Sequence, residues 1–136
     1  METLDVTNAP TSGSSPDGLA YPHVLVIEDE PNLRMIVRRN LEHRGVQVTE
    51  AADAAEALTA LAEAPDLLLL DINLPDRTGW DVLRELRERG PIPPTVVVSA
   101  VRVPAERLRE FGVVAYLPKP FPIDALTRLV VEGVRA

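Results

Sequence analysis

The chain has no cysteine. That absence excludes disulfides, thiolate zinc sites and thiol nucleophiles, and leaves oxygen ligands and carboxylates as the available chemistry. Aromatic residues are almost as scarce, with two Phe, two Tyr and one Trp, so a core must be built mostly from aliphatic Leu, Val, Ile and Ala. No positively charged segment followed by an apolar stretch opens the sequence, and no apolar run approaches the ~20 residues of a membrane span. A cytoplasmic chain with no membrane partner is the expectation. Positive charge is also short: the formal net charge is −7. Direct nucleic-acid binding is not expected, because affinity for a phosphate backbone comes mainly from clustered Lys and Arg.

The 136 residues are enough for one domain with one core. Residues 1–20 mix Thr, Ser, Gly, Pro, Asp and Asn with little apolar content, and are expected to form a disordered tail ahead of a domain spanning 21–136. From His23 onward, short apolar runs alternate with helical periods. The run HVLVIE predicts a strand, and Leu33, Ile36, Val37 and Leu41 then share a helical face between Pro31 and Gly45. VQVTE follows, then a helix with Asp53 and Glu56 spaced as a capping box and Ala57, Leu58 and Leu61 facing inward, then DLLLL. A helix from about Gly79 carries Val82, Leu83 and Leu86 on one face and ends at Gly90-Pro91. TVVVS, a short helix opened by Pro104, VVAYL and a last helix opened by Pro122 complete five strands and five helices in strict alternation.

That alternation predicts an α/β fold with right-handed crossovers and a doubly wound parallel sheet, with DLLLL and TVVVS buried on both faces. Ligand sites in such sheets lie beyond the carboxyl ends of the strands, which singles out Glu28, Asp29, Asp71, Ser99 and Lys119. Three carboxylates gathered there repel one another unless some are protonated or a cation sits among them, and a hard divalent ion, Mg²⁺ or Mn²⁺, suits an oxygen-only site. Asp71 is the candidate nucleophile toward phosphorus: the buried LLLL run makes its backbone rigid, and the INLPDRTG loop is expected to leave its outer face open. Ser99 and Lys119 would neutralise developing phosphoryl charge. Lys119 is the single lysine among 14 Lys and Arg residues, a compact ammonium suited to a point contact where a planar guanidinium is not.

The pair Glu28-Asp29, the run LLLL leading to Asp71 and INLPDRTG, the pair Ser99-Ala100 and the triplet Lys119-Pro120-Phe121 together resemble the receiver domain of two-component response regulators. The likeness covers residues 23–135, and four short motifs occur in order, each after the appropriate strand. It implies a flavodoxin-like strand order 2-1-3-4-5 and a cis peptide between Lys119 and Pro120. It also implies phosphoryl transfer from a histidine kinase or phosphotransfer protein to Asp71, and a metal held partly by the Asn73 backbone carbonyl. Ser99 and Tyr116 would move together on phosphorylation, linking the site to a partner-binding face made by the fourth helix, last strand and last helix. Two departures stand out. SAVRVPAERLREFG is shorter than the corresponding stretch of typical receivers, so the fourth helix should be short or shifted. Val101 replaces a polar or charged group found in many relatives near the attacking water's path, which predicts slow autodephosphorylation.

Blander roles compete at each position. Acids before a helix complement its N-terminal dipole, and Glu30 is assigned to that role, as an exposed first-turn residue. Asp71 could cap a loop, Ser99 could be an ordinary loop residue, and Tyr116 could be core. His23 is expected on the surface at the edge opposite the site, His43 at a helix C-terminus, and Trp80 as a packing residue and optical reporter. The functional alternatives are an interaction module that has abandoned phosphorylation and an Asp-nucleophile phosphohydrolase, the latter lacking a general acid and a cap. A single-domain regulator, or the receiver portion of a larger one, is the expectation.

Overall fold

The computed structural model describes residues 21–135; the expected tail at 1–20 lies outside the described residues. Five strands, β1 (His23–Ile27), β2 (Gln47–Ala51), β3 (Leu67–Asp71), β4 (Thr95–Ser99) and β5 (Ala115–Pro118), alternate with five helices. The helices are α1 (Pro31–His43), α2 (Ala54–Ala60), extended by a 3₁₀ turn at Leu61–Glu63, α3 (Gly79–Arg89), α4 (Ala105–Glu110) and α5 (Ile123–Arg135). All strand pairs are parallel and the order is β2-β1-β3-β4-β5.

Successive strand side chains point to opposite faces, so the runs VLVI, LLLL and VVV feed two cores at once. Leu25, Ile27, Leu68, Leu70 and Val97 pack under α2 and α3, joined by Phe111 from the end of α4. Val24, Val26, Leu67, Leu69, Val96 and Val98 pack under α1 and α5. β3 and β4 are buried along their whole length, as apolar runs flanked by helices on both faces require.

Helix ends follow local chemistry. Gly45, at φ +80°, closes α1: its amide donates to the Glu42 carbonyl and the Val46 amide to Leu41, a turn that a side chain at Gly45 would strain. Glu30 does more than sit exposed in a first turn. It is the N-cap of α1, its carboxylate accepting from the Leu33 amide at 2.6 Å. In α2, Asp53 accepts from the Glu56 amide, but Glu56 reaches the Ala52 amide instead of that of Asp53, so the expected capping box closes one residue early. Ile36 departs from the expected buried face of α1: Val37 and Leu41 are buried and Leu33 packs beneath them, while Ile36 is 43% exposed. Residues at i, i+4 and i+8 cover a stripe too narrow for it. α4 is only six residues long, as its shortened sequence predicts, and Pro104 is its N-cap.

Candidate functional site

The carboxyl ends of β1 and β3 carry the acidic residues. Carboxylate oxygens of Glu28, Asp29 and Asp71 all lie within 4.8 Å of one another, with Glu28 and Asp71 buried and Asp29 exposed. Two such charges repel by about 3 kcal/mol at an effective dielectric near 20. Lys119 answers them directly: its Nζ donates to Asp71 Oδ2 at 2.8 Å and to Glu28 Oε1 at 2.9 Å. Lys119 arrives there because it follows β5, which lies beside β4, and the Lys119 amide donates to the Ser99 carbonyl at 2.8 Å; the Lys119-Pro120 peptide is cis.

The electrostatics reflect this unequal count. Burial, aided by the Asp71 charge and opposed by hydrogen bonds from Lys119 and the Glu30 amide, raises the Glu28 carboxyl from 4.5 to about 7. Burial works against the Lys119 ammonium, but its hydrogen bonds to Asp71 and Glu28 prevail and hold its pKa above the usual lysine value. Three carboxylates with one ammonium leave net negative charge in a site lined by oxygen donors. That donor set fits a hard divalent cation.

Asp71 is held at both oxygens, Oδ1 accepting from the Asn73 amide at 3.0 Å and Oδ2 from Lys119. It is only 2% exposed, so it lies at the floor of the site and is less open than the loop composition suggests. The loop that follows is pinned at three points. Asn73 forms an antiparallel bridge with Thr78. Thr78 and Asp81 make a reciprocal capping box on α3. Asp76 accepts from the Ala54 and Ala55 amides at 2.9 and 3.1 Å, so it caps α2 from another loop. The Ala54 amide foremost, with those of Ala55 and Arg77, holds the Asp76 carboxyl below the usual aspartate value.

Gly79 lets α3 approach this strand end. A Cβ there would lie 2.9 Å from the Asp71 carbonyl oxygen and 3.0 Å from the Ile72 Cα. Its amide donates to the Ile72 carbonyl at 2.7 Å.

Ser99 is fully buried at the end of β4, one residue beyond Val98, the register partner of Asp71; its hydroxyl accepts from the Val101 amide at 3.1 Å. Val101 is 54% exposed. The Tyr116 hydroxyl reaches the Val101 carbonyl at 3.5 Å, a long contact from a half-buried ring. Lys119 therefore contacts Glu28 and Asp71, and Asp29 offers an oxygen within 4.8 Å of both carboxylates, whereas Ser99 and Tyr116 each bond the Val101 backbone in the β4–α4 loop. His23 corrects the surface expectation. It stands at the opposite sheet edge as expected, but its side chain is 12% exposed and its Nε2 lies 2.7 Å from Thr49 Oγ1, which donates to Glu63. His43 is exposed in the last turn of α1. Trp80 packs as expected, stacked on Phe111 at 5.8 Å.

Sequence reasoning missed Asp76, Gly79 and the Thr78–Asp81 box. The box was visible as Thr-x-x-Asp before an apolar run. A cap donated from another loop leaves no such spacing, and a close approach leaves none either.

The response regulator receiver domain family matches residues 24–131. The chain is 40% identical over 115 residues to the transcriptional regulatory protein KdpE of Mycobacterium tuberculosis, covering 82% of this chain and 50% of KdpE. The non-phosphorylated HemR receiver domain from Leptospira biflexa superposes with a TM-score of 0.77 at 28% identity, over 85% of this chain and 95% of that one. Response regulator TrrA from Thermotoga maritima, solved in complex with Mg²⁺-BeF, gives 0.71 at 27% identity, over 82% and 98%. The chain spans half or less of the length of the curated relatives it matches. With a family match across most of its length, and a sheet order and strand-end chemistry that agree with it, this chain belongs to the response regulator receiver domains.

Proposed function

We propose that this chain is a phospho-acceptor switch in which Asp71 takes a phosphoryl group from the phosphohistidine of a kinase or phosphotransfer protein. The observation that carries the reading is Lys119, whose ammonium joins Asp71 to Glu28 inside a cluster of three carboxylates. A carboxylate oxygen of Asp71 attacks phosphorus, the O–P bond forms as the N–P bond to the donor imidazole breaks, and the product is an acyl phosphate. Glu28, Asp29 and Asp71, with the Asn73 carbonyl, would hold Mg²⁺ or Mn²⁺. The ion would neutralise charge on the transferring group. TrrA, in complex with Mg²⁺-BeF, supports this reading by fold likeness.

Lys119 then exchanges part of its carboxylate contact for a phosphoryl oxygen, and the Ser99 hydroxyl turns from the Val101 amide toward another. Loss of that bond frees the β4–α4 loop, to which Tyr116 is already joined through the Val101 carbonyl. The signal therefore leaves through α4, β5 and α5, where a downstream effector docks. The Val101 side chain offers no polar atom to orient a hydrolytic water, which favours a long-lived acyl phosphate and a switch, not a phosphatase.

The test is incubation of the chain with Mg²⁺ and a small acyl-phosphate donor, followed by intact mass under mild conditions. One added phosphoryl group on the wild type, and none on Asp71→Asn, is expected. An unmodified wild type whose amide exchange is also unchanged by beryllofluoride would overturn the reading in favour of a phosphorylation-independent interaction module.

A further inference from the structure

Arg34, in the first turn of α1, lies outside the carboxylate cluster yet joins three segments around it. Its Nε donates to Glu50 Oε1 at 2.8 Å. Its Nη1 donates to the Glu28 carbonyl at 2.8 Å and reaches the Asp29 carbonyl at 3.5 Å. Glu50 sits on β2 in register with Val26 of β1, and is held from its other oxygen by Arg38 Nη1 at 2.6 Å. The Arg34 and Glu50 side chains are 19% and 27% exposed, so solvent screens this pair less than a surface ion pair.

The two carbonyls that Arg34 holds belong to the residues whose carboxylates open the acidic cluster. A side chain leaves its backbone in a direction set by the adjoining peptide planes. Restraining the Glu28 carbonyl, and more weakly that of Asp29, therefore constrains the Cα–Cβ directions from which both carboxylates start. A guanidinium suits the task because its N–H groups lie in one plane at fixed angles, one directed at a carboxylate and another at a carbonyl. Glu50 also neutralises the guanidinium, so a positive charge close to the cluster does not oppose a bound cation. Arg38 grips the same Glu50 but has no hydrogen bond to either loop carbonyl, which separates the two arginines functionally.

We propose that Arg34 is a positioning residue for the divalent cation: held by Glu50, it locks the Glu28 and Asp29 carbonyls and so aims the two carboxylates. The inference rests on the phospho-acceptor reading above.

The experiment measures Mg²⁺ dissociation constants by calorimetry for the full chain and for Arg34→Met, Arg38→Met and Glu50→Gln, with thermal unfolding of each recorded in EDTA. Loss of a residue that orients metal ligands weakens affinity by about 10- to 100-fold, so Arg34→Met should raise the Mg²⁺ constant at least about tenfold while Arg38→Met stays within about twofold. Glu50→Gln should fall between them, and it carries the test if Arg34→Met does not fold. Wild-type Mg²⁺ affinity in folded Arg34→Met, or in Glu50→Gln where that variant stands in, would overturn the inference. So would equal weakening in Arg38→Met, which would mark a general loosening of the fold. A wild-type chain that binds no Mg²⁺ would overturn the phospho-acceptor reading itself, and the inference with it.

Discussion

Glu28 should make the metal-free protein lose stability as pH rises. In the unfolded chain its carboxyl titrates near 4.5, and in the folded one burial beside Asp71 raises it to about 7. The folded state thus binds this proton more tightly, so the contribution is fully present below pH 4.5 and is lost as pH rises through about 7. At about 1.4 kcal/mol for each tenfold change in proton affinity, the loss comes to about 3 kcal/mol. Other groups titrate in the same window, so the readout is the difference in urea-unfolding free energy between wild type and Glu28→Gln, measured in EDTA from pH 4.5 to 8. Relative to its value at pH 4.5, that difference should shift in favour of the variant by about 3 kcal/mol at pH 8. Lys119 remains paired with Asp71 in the variant, so no new unpaired charge confuses the comparison. Saturating Mg²⁺ should flatten the wild-type curve, because a cation favours the charged carboxylate. A difference that stays constant across the pH range would refute the reasoning: the cost of burying Glu28 would then be absent.

Gly79→Ala should destabilise the domain although alanine favours helices, because the new Cβ meets the backbone of Asp71 and Ile72. Overpacking less the helix gain leaves about 1–2 kcal/mol, a fall in melting temperature of roughly 4–8 °C, and an unchanged or raised melting temperature would count against the close approach. Asp76→Ala should speed hydrogen exchange at the Ala54 and Ala55 amides, since it removes the acceptor of both, and unaltered exchange would show that Asp76 does not cap α2. Wild-type acyl phosphate should persist for minutes or longer in Mg²⁺ buffer and decay faster in Val101→Glu; a wild-type lifetime of seconds would dismiss the role given to Val101.

The sequence alone determined the alternation of strands and helices, because side-chain periods of 2 and 3.6 are properties of a few consecutive residues. DLLLL and TVVVS could be recognised as central strands since only burial on both faces accommodates unbroken apolar runs. The strand ends singled out Glu28, Asp29, Asp71, Ser99 and Lys119 as candidates, and the shortened stretch before Tyr116 foretold a short α4. Contacts between elements had no such local signature. Nothing in the spacing of Asp76 and Ala54 says that one caps the other across 22 residues. Ile36 matched the helical period and still lies 43% exposed, because the width of the covered stripe is set by how α1 docks on the sheet. The bridge from Lys119 to both Glu28 and Asp71, the floor position of Asp71 and the grip of Arg34 on the loop carbonyls depend on loop paths and rotamers. Those are settled by packing among distant segments, which no local run of residues records.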